Sequence, residues 1–316
     1  MINIRHKRFK VTQSYPRVDV FLHECLPEMS RTSVAKLIKD NLVKLNDTPL
    51  LKKNMDLKEG DILEIALAQP DTDIIPYTPS FHINDIKLYE DDYLLIVDKP
   101  TGIAIHSGSG TKTETILDIF KYYYPQIADI DTDDPDQRPG IVHRLDRETS
   151  GLLILAKDKI TMKRMQKRFK RREVHKTYLA LVSGQVRFQN GTIDALITRS
   201  PKNRTRFCVA DLDRKNTSAV RDSVTRYSRI IQFDHFALVK AFPITGRTHQ
   251  IRVHFAHLGN PVLGDILYGK GKNFPRLALH SHALQFYHPI TEQLITSYSP
   301  FPLIFREFLK ENLAHI

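Results

Sequence analysis

The stretch "IVHRLDRETSGLLILAK", residues 141–157, joins a charged cluster to an apolar run. Residues 152–156 follow a Ser-Gly turn signal, and a short apolar run of this kind predicts a strand buried in a sheet. The first half places Asp146 between Arg144 and Arg147. A buried strand needs no charged cluster at its start, so the carboxylate of Asp146 calls for a separate explanation.

Further apolar runs of strand length lie on both sides of this stretch. "DYLLIVDKP" precedes it, and "KTYLALVSG" and "HFALVKAFP" follow it with partial alternation. Helical patterns occur at "TETILDIFKYYY", at residues 160–172 and at residues 245–259, where Thr245-Gly246 should open the helix and Gly259 should close it. Strands with few regular helices between them predict an α+β domain with a mixed, largely antiparallel sheet rather than a doubly wound parallel one.

The chain also divides along its length. "AQPDTDIIPYTPSFHIND", residues 68–85, contains three prolines and no periodicity, which is typical of a linker. We therefore expect a small α/β module in residues 1–67 and a large domain in residues 86–316. Amino acids 34, 37, 38 and 42 of the small module share one helical face, and Arg31 and Lys36 fall outside it. A basic helix suits folded RNA, but solvated lysine-bearing helices are common, so spacing alone leaves this open.

Composition excludes several classes of protein. The chain has 316 residues, of which 41% are hydrophobic and 26% charged, as in ordinary globular proteins. Its apolar runs are far shorter than the roughly 20 residues that cross a bilayer. No signal peptide is visible, and the two cysteines, Cys25 and Cys208, lie far apart without metal-like spacing. We expect a cytoplasmic protein with no membrane association and no obligate protein partner.

The net charge of +11 is concentrated in one segment. Residues 157–176 contain ten basic and two acidic side chains. A polyanion is the natural partner for such a surface, because each phosphate contact releases counterions. Arg171 and Arg172 lie at the end of its predicted helix and are candidate RNA contacts. The alternative is a solvated, lysine-rich helix with no partner.

Three residues could carry chemistry in the large domain. Asp146 could cap its turn or pair with an arginine; as a nucleophile it would have to be ionised and aimed, which nearby arginines favour. The ring of Tyr178 could belong to the core or, by its hydroxyl, to a site. Arg252 lies off the apolar face of its helix. The histidines of that helix lack a carboxylate or cysteine that would complete a zinc site, so no metal is expected.

Residues 16–66, from "RVDVFLHECLPEMSRTSVAKLIKDNLVKLND" to "MDLKEGDILEI", resemble the alpha-L motif, a small RNA-binding module. That module is widespread in ribosomal proteins, tRNA synthetases and RNA-modifying enzymes. The resemblance implies that Arg17, Arg31 and Lys36 contact RNA.

The large domain resembles the RluA-type family of pseudouridine synthases over roughly residues 81–305. Five motifs occur in the family order: "YEDDYLLIVDKPTGIAIHSG", "IVHRLDRETSGLLILAK", "KTYLALVSG", "ITGRTHQIRVHFAHLGNPVLGDILYG" and "RLALHSHALQFYHP". The resemblance implies the pseudouridine synthase fold and an enzyme that isomerises uridine in structured RNA without cofactor or metal. In that reaction the nitrogen–carbon glycosidic bond breaks, the uracil turns, and the bond re-forms through carbon.

The family roles carry over to four residues. Asp146 would be the nucleophile, on either the ribose or the base, and Arg252 would pair with it. Tyr178 would remove the proton from the base carbon, and Arg144 would fill the space left by a flipped nucleotide. The resemblance favours large-subunit ribosomal RNA or an assembly intermediate as the partner. A synthase acting on tRNA, a non-catalytic RNA-binding or ribosome-assembly factor and a small-molecule enzyme that uses Asp146 as a base are the alternatives.

Overall fold

The computed structural model describes residues 4–26, 34, 37–50, 52, 54–68, 77–107, 113–130, 138–201, 203, 205–211, 220–271 and 274–313. The chain forms two compact units, which we term the N-terminal unit, Met1–Thr78, and the C-terminal unit, Pro79–Ile316. The division falls inside the expected linker, part of which lies outside the described residues. The exact domain boundaries therefore stay a prediction.

The N-terminal unit is a four-stranded sheet with a helix packed on it. Its strands follow the order β1-β4-β2-β3, and every pairing is antiparallel. Val34 and Ile38 are buried in its core, on the face that their spacing predicts. Arg31 and Lys36 lie outside the described residues. The elements are β1 (Ile4–Lys10), α1 (Val18–Cys25), β2 (Val43–Leu45), β3 (Thr48–Pro49) and β4 (Ile62–Ala68).

The C-terminal unit is built on one long sheet flanked by helices. Its strands are β5 (Lys87–Glu90), β6 (Leu94–Lys99), β7 (Ser150–Ala156), β8 (His175–Ser183), β9 (Asn190–Arg199), β10 (Phe207–Val209), β11 (Arg221–Gln232), β12 (Phe236–Pro243), β13 (Leu279–Tyr287) and β14 (Leu294–Tyr298). Its helices are α2 (Ile116–Tyr123), α3 (Lys159–Lys170), α4 (Gln250–His257) and α5 (Leu303–Leu313), with short 3-10 turns at Ile83–Asp85 and Pro125–Asp129. No described helix is long and apolar enough to cross a bilayer.

The strand order is β10-β9-β11-β12-β8-β13-β7-β6-β5, with β14 added to β13. Among the named strands that the structure describes, only β7 and β13 pair in parallel, through two residue pairs. The prediction of an α+β fold with a mixed, largely antiparallel sheet is confirmed. The parallel pair matters for the site, because it places the start of β7 beside β13 in the middle of the sheet.

Strand β7 is buried along its whole length, which is why its sequence is a continuous apolar run. Leu153 and Leu155 pack into the core on one face of the sheet, and Leu152 and Ile154 pack into the core on the other. At Gly151 the backbone has φ of +108°, and a Cβ there would lie 2.2 Å from the carbonyl oxygen of Ser281 on β13. Glycine therefore permits the close approach of the two strands.

Two helix predictions need correction. Helix α3 ends at Lys170, so Arg171 is its C-cap and Arg172 follows with φ of +63°. The helix predicted to open at Thr245-Gly246 begins only at Gln250. The side chain of Gln250 accepts hydrogen bonds from the hydroxyl of Thr245 (2.7 Å) and the backbone N–H of Arg247 (3.0 Å), which stabilises a loop where a helical turn was expected.

Candidate active site

A cavity of about 490 Å³ lies at the start of β7. Its walls come from the turn before β7, the start of β8, the residues that follow α3, and the loop that leads into α4. Asp146, Tyr178, Arg252 and Arg144 all line it, although 106 residues separate the first and third along the chain. The sheet thus brings together the four residues to which the resemblance assigned roles.

Among the described residues, the side chains that hold the carboxylate of Asp146 contact only one of its two oxygens. Arg252 donates a hydrogen bond from Nη1 to Oδ2 of Asp146 over 3.2 Å, and Nε2 of His249 lies 3.9 Å from the same oxygen. Both contacts leave Oδ1 for another partner. The side chain is 16% exposed, so it faces the cavity rather than bulk water or the core.

The guanidinium of Arg252 is buried, and a second carboxylate orients it. Nε donates to Oδ2 of Asp265 over 2.7 Å, and Nη2 donates to Oδ1 over 2.9 Å, a bidentate pair. Burial alone would lower the pKa of Arg252, but the charges of Asp265 and Asp146 outweigh it and raise that pKa above its ordinary value. Arg252 therefore reaches Asp146 as a fixed cation. Sequence analysis missed Asp265, which lies in the fourth motif.

Tyr178 presents a protonated phenol to the cavity. It is 9% exposed on β8, opposite Ser281 of β13. Burial raises the pKa of Tyr178 to about 12, and the negative charge of Asp146 acts in the same direction. At neutral pH the phenol is therefore protonated, so the resting hydroxyl is a hydrogen-bond donor. To act as a base it would first have to give up this proton.

His249 is a cavity residue that sequence analysis considered only as a zinc ligand. It precedes α4 with φ of +56°, and its Nδ1 lies 2.7 Å from the hydroxyl of Tyr268. That hydroxyl accepts a hydrogen bond from the backbone N–H of Phe207 over 2.9 Å. Burial lowers the pKa of His249, so the neutral imidazole is the form present near pH 7. Within the described residues no cluster of three His, Cys, Asp or Glu is placed to hold a metal.

Lys176 is a second cavity residue that went unpredicted. Its Nζ donates one hydrogen bond to the carbonyl of Thr245 over 3.3 Å, and burial lowers the pKa of Lys176 to about 8. The sequence contains a signal for it, because Lys176 stands two residues before Tyr178 on a strand and therefore shares its face. A partly buried ammonium whose one hydrogen-bond partner among the described residues is a neutral carbonyl is well suited to an anion.

Below the site, Lys99 fastens the turn that carries Asp146. Its fully buried Nζ donates to the carbonyls of Pro100 (2.8 Å), Ile103 (3.0 Å) and Arg147 (3.1 Å). Burial lowers the pKa of Lys99 to about 7. The loop after β6 and the turn before β7 thus both hydrogen-bond to this ammonium group. These bonds fix the position of the turn that carries Asp146.

The candidate RNA contacts differ in their surroundings. Arg144 and Arg172 are exposed and line the cavity, whereas Arg171 is exposed outside its lining with its Nη1 3.7 Å from Glu173. Arg17, in the N-terminal unit, is exposed and forms a bidentate pair with Asp19. The roles of these arginines in RNA binding stay predictions.

Part of the basic segment is neutralised within the protein. Arg168 donates to both carboxylate oxygens of Glu292, over 2.7 and 2.6 Å, and Lys157 donates to Glu90 over 2.6 Å. The surface available to a polyanion is therefore smaller than the count of basic residues suggests. It lies at the end of α3, where Lys170 and Arg172 line the cavity.

Comparison with known proteins gives consistent matches. A family model described as RNA pseudouridylate synthase matches residues 93–257. An uncharacterised RNA pseudouridine synthase of Aquifex aeolicus is 35% identical over 294 residues, which is 89% of each chain. The ribosomal large subunit pseudouridine synthase D of Xanthomonas campestris pv. campestris is 33% identical over 302 residues, 90% of this chain and 86% of that one. The solved human RNA pseudouridylate synthase domain containing 1 has a TM-score of 0.57 at 27% identity, over 71% of this chain and 87% of the human one.

Proposed function

Since this chain belongs to the RNA pseudouridylate synthase family, and is an RNA pseudouridine synthase, we propose that it modifies large-subunit ribosomal RNA with Asp146 as its nucleophile. The resemblance of the five motifs to the RluA-type family is confirmed. One observation carries the assignment of the nucleophile: the carboxylate of Asp146 faces the cavity beside Tyr178 while Arg252 holds one of its two oxygens.

The reaction is an isomerisation, so no atom is gained or lost. The bond between uracil N1 and ribose C1′ breaks, a bond between C5 and C1′ forms, the C5 proton leaves, and N1 acquires a proton. Asp146 attacks the nucleotide through the oxygen that Arg252 does not hold, and this covalent bond breaks again before the product leaves, which returns the free carboxylate. The cavity retains the detached uracil while it turns. Tyr178, beside that carboxylate, is placed to pass its phenolic proton to N1 and to accept the C5 proton in its place, so that it ends the reaction protonated as it began.

The uridine must leave its helix to enter the cavity, which costs a few kcal/mol. Arg144 is exposed at the cavity and makes no ion pair with the described residues, so its planar guanidinium is free to stack in the place that the nucleotide vacates. Lys170, Arg172 and the partly buried Lys176 supply positive charge for the backbone phosphates beside the flipped residue.

The choice of RNA rests on relatives. Several curated relatives at about one third identity are named ribosomal large subunit pseudouridine synthase D, and they match over most of this chain. We therefore assign large-subunit ribosomal RNA, or an assembly intermediate that contains it, as the substrate and the cytoplasm as the place of action. Arg17, Arg31 and Lys36 of the N-terminal unit are assigned to contacts with that RNA.

Tritium release tests the nucleophile and the substrate together. Transcripts of large-subunit ribosomal RNA and of tRNA are labelled at uracil C5 and incubated with the wild type, Asp146→Asn and Glu148→Gln. We expect release from ribosomal RNA by the wild type and by Glu148→Gln, because Glu148 is exposed and does not line the cavity. Asp146→Asn should release none while it still binds RNA. Release from tRNA alone would refute the assigned substrate, and release by Asp146→Asn would refute the nucleophile.

A further inference from the structure

A chain of hydrogen-bonding groups runs from strand β10 to the catalytic carboxylate. The backbone N–H of Phe207 donates to the hydroxyl of Tyr268 (2.9 Å), and that hydroxyl lies 2.7 Å from Nδ1 of His249. On the far side of the ring, Nε2 lies 3.9 Å from Oδ2 of Asp146. The imidazole thus stands between a fixed hydroxyl and the carboxylate.

The proton of the imidazole can be assigned from its neighbours. The oxygen of Tyr268 already accepts from Phe207, so its own hydrogen is available to Nδ1 of His249. A lone pair on Nε2 would face the negative charge of Asp146, which is repulsive. The favoured neutral form therefore carries its hydrogen on Nε2 and directs it at the carboxylate.

The backbone at His249 supports a functional reading. Its φ of +56° lies in the left-handed region, which few non-glycine residues adopt, although histidine occurs there more often than most, as do asparagine and aspartate. With this backbone the ring stands between the hydroxyl of Tyr268 and the carboxylate of Asp146.

We propose that His249 is a positioning residue for Asp146. It supplies a second N–H donor to Oδ2 beside Arg252, so that Oδ1 faces the nucleotide. A movement of about 1 Å by the carboxylate closes the 3.9 Å gap to hydrogen-bond length. Tyr268 keeps the ring in the required tautomer and orientation. This inference rests on the proposed role of Asp146 as nucleophile.

Two amide substitutions test whether His249 matters for its Nε2–H donor or only for its left-handed backbone conformation. The amide nitrogen of Gln reaches the position of Nε2, but Gln fits the left-handed backbone poorly. The shorter Asn fits that backbone better, but its amide cannot reach Asp146. If the Nε2–H donor matters, kcat should fall in the order wild type, His249→Gln, His249→Asn, with Gln within about fivefold of the wild type and Asn lower by about 10- to 100-fold. The KM for RNA should stay within about threefold in both.

The melting temperatures of the two variants should rank the other way, with His249→Asn at least as stable as His249→Gln. Tyr268→Phe should lower kcat by about 3- to 10-fold in the wild type and have little further effect on kcat in His249→Gln, whose amide has no tautomer to fix. A kcat for His249→Asn equal to or above that of His249→Gln would overturn the inference, as would wild-type kcat in both. The wild type and Asp146→Asn are measured alongside, since activity in Asp146→Asn would instead refute the nucleophile.

Discussion

The pair formed by Arg252 and Asp265 allows a quantitative test of how the site is held. The side chain of Arg252 is 2% exposed and donates two hydrogen bonds to the carboxylate of Asp265. In Asp265→Asn the guanidinium stays buried but loses that negative charge. Removal of one partner from a buried ion pair costs about 3–5 kcal/mol, and we expect the lower end because Asn keeps one acceptor oxygen. For a unit of this size, about 3 kcal/mol corresponds to a melting temperature lower by about 6–12 °C.

Asp146→Asn is the matched control, since it removes the other carboxylate that contacts Arg252. Asp146 is partly exposed and accepts one hydrogen bond of 3.2 Å from Arg252, so the expected loss is about 1 kcal/mol or less. Both variants should lose isomerisation activity, Asp146→Asn completely and Asp265→Asn by about 10- to 100-fold through misplacement of Arg252. Both variants are thus predicted to lose activity, but only Asp265→Asn should lose much stability.

The measurements are thermal unfolding of the full-length variants by circular dichroism and tritium release on the same preparations. A pH series adds a check of sign. The pKa of Asp265 is held below its ordinary value of 3.8, chiefly by Arg252 against the effect of burial. Its stabilisation is therefore present above that value and is lost as the pH falls through the folded-state pKa, so the wild type and Asp265→Asn should converge in acid. A melting temperature for Asp265→Asn within about 2 °C of the wild type at pH 7.5 would refute the reasoning, as would an equal loss in Asp146→Asn.

Three further predictions concern RNA binding and the sheet. Arg172→Gln should weaken RNA binding in a filter-binding assay and reduce the slope of log affinity against log salt by about 1. Arg168→Gln should leave that slope unchanged, because Arg168 is already paired with Glu292. Equal slopes for the two variants would contradict this. The wild-type affinity for RNA should fall as the pH rises through about 8, where Lys176 loses its proton, and Lys176→Met should show no such fall between pH 6.5 and 9.5. In denaturant unfolding, Gly151→Ala should lower the free energy of unfolding by about 3 kcal/mol or more, since a Cβ would collide with the backbone of β13. Gly102→Ala, at a positive φ with open space around it, should lower it by about 1–2 kcal/mol.

Sequence reasoning succeeded where local pattern and burial coincide. Strand β7 is buried on both faces, so its apolar run was sufficient evidence for it. The position of Gly259 after α4 followed from turn chemistry in the same way, since its φ is +81°. Strand β1 was not predicted, because it pairs with a single neighbour, β4, and its sequence, "IRHKRFK", lacks an apolar run.

The site could be predicted only in part. The motifs identified Asp146, Tyr178 and Arg252, but no local pattern shows that Asp265 orients Arg252 through a bidentate pair. The late start of α4 depends on Gln250, whose side chain accepts a local bond from the backbone N–H of Arg247 and donates a tertiary one to the carbonyl of Val224 on β11. Side-chain pairs across loops depend on the path of the backbone, which short-range periodicity does not describe.

The parallel pairing of β7 with β13 has a consequence for the order in which the enzyme matures. The turn that carries Asp146 is translated early, yet the strand beside which it must settle begins at Leu279, and Ser150 bonds to His280 across 130 residues. At ordinary rates of translation the ribosome needs on the order of ten seconds to add such a length. A nascent chain released before β13 emerges thus has Asp146, the proposed nucleophile, but lacks the strand beside which its turn must settle. Catalytic competence is acquired near the end of synthesis.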